Sequence, residues 1–259
     1  MLKSIDLSKI KKIDIIVTEK MTGRQVYNAY GKPDYLINLA LYDMASGDNI
    51  TYLEDNNKKS GFLFSGEGLG VKDGKPIWCT KDEAYKSDEI TDYVSFSPVL
   101  VKNGKKDIKW GNKVSSYVNG VHTRCFLGFN DSKFFVGISD YKNSIDSLAN
   151  YCVKQGMKFA GNNDGNGSCF LMENGKVLVD SSRKNASWLA VYLDKGTTTV
   201  TKPSPVNNTS KGTTEIVVAG KKLDMNAFIQ NGTTYAPVRA IAEALGKKVS
   251  FKDGKVYID

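Results

Sequence analysis

No other part of the chain leaves its backbone so few options as Phe159-Ala160-Gly161-Asn162-Asn163-Asp164-Gly165-Asn166-Gly167-Ser168-Cys169-Phe170-Leu171. Small and polar residues from Gly161 to Ser168 interrupt two apolar segments, which reads as a strand, a tight loop and a second strand. Gly165 and Gly167 frame Asn166, a residue type that tolerates positive φ, and at least one of the two glycines is expected at φ > 0. Such a loop can form a concavity whose N–H groups point at an anion, with Asp164 and Ser168 at its flanks. The plainer alternative is an Asn- and Gly-rich hairpin turn without a ligand.

The same stretch also has calcium-loop spacing, because Asn162, Asp164, Asn166, Gly167 and Glu173 fall at positions 1, 3, 5, 6 and 12 of an EF-hand. Its flanks argue otherwise. An EF-hand needs a helix on each side, whereas Met157 to Gly161 is too short for one and Glu173-Asn174-Gly175-Lys176 reads as a hairpin turn. The expectation is no cofactor, with a divalent cation at Asn162, Asp164, Asn166 and Glu173 as the lesser alternative.

At 259 residues and 41% hydrophobic content the chain has room for one large domain and a small one. No stretch approaches the ~20 apolar residues of a membrane span. The start offers only Ile13-Asp14-Ile15-Ile16-Val17, too short for a signal peptide, so the expected location is cytoplasmic, away from membranes. A net charge of +8 comes from scattered lysines, without an Arg-rich helix or basic-aromatic interleaving. It points to an anionic small molecule rather than to nucleic acid. Cys79, Cys125, Cys152 and Cys169 form no C-x-x-C pair and no zinc spacing, which fits buried thiols in a reducing compartment.

The rest of the chain reads mostly as strands and turns. Early strands are expected at Ile13 to Thr18, Tyr35 to Tyr42 and Ile50 to Leu53, with Asn38 inside the second as either a structural hydrogen-bonder or a ligand contact. Glu67 lies between glycines in Ser65-Gly66-Glu67-Gly68, as a solvated turn residue or a carboxylate that a ligand can approach. His122 to Phe129 pairs with Lys133 to Ile138, so that His122 and Arg124 share one strand face. Ser144 caps a helix with Ile145, Leu148, Ala149, Cys152 and Val153 at helical spacing, ended by Gly156. Residues 198–213 have the composition of a flexible linker. A small module, 214–259, follows as hairpin, helix from Val238 to Leu245, and hairpin. The fold class is therefore α+β: mostly antiparallel sheets with few helices, plus a β-hairpin/helix/β-hairpin module at the C-terminal end. Near the lower size limit for independent stability, that module suggests homo-oligomer formation.

With these residues assembled, a first domain is expected over residues 1–197, of which about residues 30–194 resemble the phosphodiester glycosidase family, whose animal member removes N-acetylglucosamine from a sugar phosphodiester. The family's late signature, an Asn, one residue, then Asp-Gly-Gly-Gly-Ser, is similar to Asn162 to Ser168. Its Arg-x-x-x-Gly strand is similar to Arg124 to Gly128, its Pro-x-Leu-Val segment with a following Asn-Gly to Pro98 to Gly104, and its early Asn-rich strand to Asn38. Asn166 replaces the usual glycine, and Leu39-Ala40-Leu41 replaces Gly-Gly-Phe-like residues. Tyr235 to Gly246 resembles the stalk module of copper amine oxidases, found also in bacterial and bacteriophage proteins; no ligand cluster accompanies it, so it implies no copper.

The resemblance implies hydrolysis of a glycosyl phosphodiester at the anomeric carbon. In that reading Asp164 is base or nucleophile and Glu67 the second carboxylate. His122, the only histidine, is either a proton donor to the departing phosphate or a structural residue. Asn38, Arg124, Asn163, Gly165, Gly167 and Ser168 would bind the substrate, a sugar phosphate, with Arg124 as the planar phosphate donor. The alternative from another class is a non-catalytic binding protein for a sugar phosphate or a nucleotide-derived small molecule.

Overall fold

Short apolar runs separated by Gly, Asn and Asp turns make paired strands the dominant element among the described residues. The computed structural model describes residues 1–56, 58–62, 66–110, 120–140, 143–194, 216–218, 221–223, 228–230, 233–235, 238–252 and 255–258. The chain divides into two units, Met1–Thr197 and Thr198–Asp259.

In the first unit the elements run β1 (Leu2–Asp6), β2 (Ile10–Met21), α1 (Gly23–Ala29), β3 (Tyr35–Asn38), β4 (Leu53–Asp55) and β5 (Lys58–Ser60). They continue with β6 (Glu67–Lys72), β7 (Lys75–Thr80), α2 (Lys81–Lys86), β8 (Ile90–Ser95), β9 (Val99–Lys102) and β10 (Lys105–Lys109). The last group is β11 (Arg124–Phe129), β12 (Lys133–Ile138), α3 (Ile145–Lys154), β13 (Phe159–Gly165), β14 (Leu171–Glu173), β15 (Lys176–Val179) and β16 (Asn185–Leu193). All pairings are antiparallel, in three sheets ordered β1-β12-β11-β13-β9-β10, β15-β14-β3-β16-β2 and β5-β4-β8-β6-β7.

The three sheets turn their inner faces to one shared core. Val99, Leu127 and Val136 come from the first sheet, Ile13, Ile37 and Leu189 from the second, and Leu69 and Val94 from the third, all fully or almost fully buried. Among the described residues, each outer face packs against one helix. Ile145, Leu148 and Cys152 of α3 cover Phe126 and Ala160; Val26 of α1 joins Leu36 and Trp188; Ala84 of α2 joins Ile90 and Tyr93. Side chains of this size each contribute about 1.5–3 kcal/mol on full burial, so every helix is pinned by its apolar stripe.

The helix over 145–154 follows its sequence signals: Ser144 Oγ accepts from Ser147 N–H at 3.1 Å, and Gly156 takes φ +75° just past the end. Two short helices are absent from the sequence reading. Both α1 and α2 begin with a reciprocal capping box, Thr22 with Gln25 and Thr80 with Glu83, a pattern present in the sequence but attached to too little apolar periodicity to stand out. The strand expected over Tyr35–Tyr42 stops at Asn38, because Leu39 N–H and Ala40 N–H turn to Ser187, bonding its backbone O and its Oγ.

The second unit contains the hairpins β17 (Ile216–Val218) with β18 (Lys221–Leu223), β19 (Phe228–Gln230) with β20 (Thr233–Tyr235), and β21 (Val249–Lys252) with β22 (Lys255–Ile258). Helix α4 (Val238–Ala244) is closed by Gly246 at φ +72°, with Lys247 N–H reaching back to Ala242 O. The middle hairpin is additional to the sequence reading. The expected linker, 198–213, lies outside the described residues. No helix among the described residues is long and apolar enough to cross a membrane.

Candidate active site

The polar stretch around Asp164 lies where the first two sheets meet. Strand β13 runs between β11 and β9, with Gly165 opposite Arg124 and Asn162 opposite Phe126. Between those two pairs, where the register shifts, Asp164 N–H donates to Leu39 O at 2.9 Å, just after β3 ends. The premature end of β3 therefore brings Asn38 beneath the same corner. A cavity of about 220 Å³ opens there, lined among others by Tyr42, His122, Arg124, Asn163, Asp164 and Arg183. It is smaller than the roughly 300–1,000 Å³ of drug-sized sites, which restricts it to a small ligand or to part of a larger one.

Asp164 is the only carboxylate among the described lining residues, and only 6% of its surface is exposed. Its Oδ1 accepts the Gly165 N–H at 2.7 Å, while Oδ2 is buried without a hydrogen-bond donor. Burial pushes its pKa up to about 6; the Gly165 N–H, the Ser168 hydroxyl, the Arg183 charge and the Asn38 amide oppose that rise. Asn38 is held from the other side, its Oδ1 accepting from Phe170 N–H at 2.8 Å and from the Cys125 thiol at 3.0 Å. That arrangement leaves Asn38 Nδ2 without a hydrogen bond, turned to the site.

Asn163 is 3% exposed, and neither of its amide atoms has a hydrogen-bond partner. Buried amides are ordinarily satisfied, so this one presents an uncommitted donor and acceptor in the cavity wall. Asn162 instead anchors the strand, donating from Nδ2 to Ser97 O at 2.6 Å and Asn163 O at 2.7 Å. Tyr42 forms the opposite wall; burial raises its pKa, and the Ser168 hydroxyl eases that rise.

Three expectations change on contact with the structure. Gly165 is extended, at φ −157°, and neither it nor Gly167 has positive φ; the left-handed residue is Asn166, at φ +54°. The glycines are required by space: a Cβ on Gly165 would lie 2.3 Å from Thr123 O, and one on Gly167 2.7 Å from the guanidinium carbon of Arg183. Nor are all the loop N–H groups open to an anion, since that of Gly165 serves Asp164 and that of Asn166 donates to Thr123 O at 2.8 Å. His122 lies outside β11, on the chain leading into it, and lines the cavity from there.

Glu67 is not among the cavity-lining residues. It opens β6 in the third sheet, where Oε1 accepts from Lys102 at 2.9 Å and Lys109 at 3.1 Å. Burial alone would raise its pKa, but the two ammonium groups outweigh it and hold the carboxyl below its ordinary value. The EF-hand spacing likewise does not become an EF-hand geometry: Asn162 and Asp164 lie within a strand, and Glu173 pairs with Lys3 at 2.7 Å. No group of three His, Cys, Asp or Glu side chains suited to a metal occurs among the described residues.

Arg124 is buried, 3% exposed, with its N–H bonded to Ser139 Oγ at 2.9 Å and Nη2 donating to Gly120 O. Burial lowers its pKa to about 10, which leaves it charged at neutral pH. The arginine whose charge acts on Asp164 is Arg183, which the sequence reading passed over inside Ser181-Ser182-Arg183-Lys184-Asn185. The available signal was the choice of residue: the chain has four arginines among 36 basic residues.

A buried carboxylate, a buried amide without a hydrogen bond and two arginines line one small cavity at the junction of two antiparallel sheets. Residues 42–184, over half of the chain, match the phosphodiester glycosidase family, and the chain belongs to that family. Residues 173–258 match the copper amine oxidase N-terminal domain, a match that begins inside the first unit, at the end of β14. The catalytic domain of zebrafish N-acetylglucosamine-1-phosphodiester alpha-N-acetylglucosaminidase, auto-inhibited by its pro-peptide, shares the fold. It has a TM-score of 0.60 over 74% of this chain and 83% of that one, at 13% identity. A hypothetical protein from Synechocystis is similar at TM-score 0.54 and 11% identity, over 74% of this chain and 59% of that one. No curated protein matches in sequence.

Proposed function

We propose that the first unit hydrolyses a glycosyl phosphodiester at the anomeric carbon. The observation that carries this is Asp164: a buried carboxylate whose pKa burial raises to about 6, one oxygen tied to Gly165 N–H and the other unbonded, in a cavity of about 220 Å³ that two arginines also line. As general base, Asp164 takes a proton from water whose oxygen bonds to C1. The C1–O bond breaks, and its electron pair leaves on the phosphate oxygen. A phosphodiester is a good leaving group already, so the chemistry works with one carboxylate where ordinary glycosidases use two. That accords with a site that lacks Glu67. Asn163 offers its amide to sugar hydroxyls, Asn38 and Ser168 lie beside the carboxylate and favour its charged form, and Arg124 keeps the wall cationic.

The test is incubation with a panel of α-N-acetylglucosaminyl and other glycosyl phosphodiesters and nucleotide sugars in ¹⁸O water. The expected product is the free sugar carrying the label, beside an unlabelled phosphomonoester. Label in the phosphate would mean P–O cleavage and overturn the mechanism. A non-catalytic sugar-phosphate binder, the other reading, would bind members of the panel and release nothing; for an enzyme, Asp164→Asn should stop release while leaving affinity nearly intact.

A further inference from the structure

Segment 180–184 joins β15 to β16, places Arg183 in the cavity wall, and is fastened to the Asn166–Ser168 turn through Ser181 and through Asn185 at the start of β16. Ser181 Oγ donates to Gly167 O at 2.6 Å and accepts the Arg183 N–H at 3.1 Å, while Asn185 Nδ2 donates to Ser168 O at 3.1 Å. The backbone of Arg183 is therefore set relative to the loop that carries Asp164. Its guanidinium lies flat on Gly167, close enough that a Cβ there would meet the carbon at 2.7 Å, Nη2 at 2.8 Å and Nε at 2.9 Å.

So fixed, the guanidinium has no ion pair and no hydrogen bond among the described residues. The neighbouring Asp180 is taken by Arg24 at 3.2 Å, and Asp164 influences Arg183 without pairing with it. A guanidinium carries five N–H donors in a planar fork that matches phosphate. Arg124, by contrast, already has Nη2 on a backbone carbonyl.

We infer that Arg183, seated on Gly167 and bracketed by Ser181, is the anion-binding residue through which the cavity selects a phosphate-bearing leaving group. This rests on the hydrolytic reading above for its leaving group, though not for its anion. Phosphate on Arg183 would lie beside Asp164, with the anomeric carbon between the two, and its departing charge would meet the guanidinium as the C1–O bond breaks.

The experiment uses the full chain and two readouts. The first is kcat/KM on the best phosphodiester and on the p-nitrophenyl glycoside of the same sugar, which has no phosphate. The second is the Kd for inorganic phosphate by calorimetry. Arg183→Gln should lower kcat/KM about 100-fold on the phosphodiester and less than about 3-fold on the aryl glycoside, and weaken phosphate at least about 10-fold. Arg183→Lys should restore only part of the loss, because it lacks the fork. Gly167→Ala, which displaces the guanidinium with its charge intact, should show the same selectivity, and Lys106→Gln, an exposed charge paired with Asp146, should change nothing. Equal losses on both substrates, or phosphate affinity unchanged in Arg183→Gln, would overturn the assignment. If the wild type turns over neither substrate yet loses phosphate binding in Arg183→Gln, the hydrolytic reading falls and the anion site stands.

Discussion

Replacing Asp164 with asparagine should make the first unit more stable while removing its activity. The carboxyl's pKa is raised from 3.8 to about 6, about two units, and at about 1.36 kcal/mol per unit the ionised form destabilises the fold at neutral pH by about 3 kcal/mol. Asparagine keeps an oxygen for the Gly165 N–H but must bury an amide, so the expected net gain is about 2 kcal/mol. Because folding raises this pKa, the native state holds the extra proton between about pH 4 and pH 6. The wild type therefore loses stability as pH rises through that window, and the advantage of Asp164→Asn, absent near pH 4, is complete above about pH 6. All three tryptophans, Trp78, Trp110 and Trp188, belong to the first unit, so urea unfolding followed by their fluorescence reports on it alone. At about 2–4 °C per kcal/mol for a domain of this size, Tm at pH 7 should rise by about 4–8 °C. A variant no more stable than wild type at pH 7, or stabilised equally at pH 4 and pH 7, would refute the buried, strained carboxylate and with it the case for Asp164 as the base.

Other outcomes follow from the same contacts. With Asp164 required as the anion, kcat/KM should fall as pH drops below about 6, and a profile flat from pH 5 to 8 would remove it from the base role. Glu67→Gln should leave kcat within about 2-fold but destabilise the first unit by about 1–3 kcal/mol, measured by urea unfolding, because Lys102 and Lys109 lose their shared partner; loss of turnover without loss of stability would return Glu67 to the site. Gly165→Ala, with its Cβ driven towards Thr123 O, should lose about 1–3 kcal/mol and most activity, whereas Asn166→Gly, at φ +54°, should shift stability by less than about 1 kcal/mol. Thr80→Ala should cost about 1 kcal/mol through the α2 capping box, read by thermal melting, without touching phosphodiester turnover.

The fold class and the polar strand-loop-strand that ends in Asp164 were legible in the sequence because their causes are local. Apolar alternation, turn residues and the Ser144 cap act over a few positions, and they specify the hairpins and α3 wherever the rest of the chain goes. Asn166 as the left-handed residue could also be read, since αL tolerance belongs to the residue type. Why Gly165 and Gly167 must be glycine could not, because the reason is Thr123 O and the Arg183 guanidinium, which approach from distant or separately folded segments. The same holds for the carboxylates. Glu67 and Asp164 look alike in sequence, each beside glycine, and the tertiary structure separates them by placing two lysines on one and withdrawing solvent from the other. Burial and long-range charge set a pKa, and neither is a property of sequence neighbours. Arg183 is the clearest case: an arginine in a polar turn between two strands becomes part of the site only when Ser181 and Asn185 fasten that turn to the loop beside Asp164.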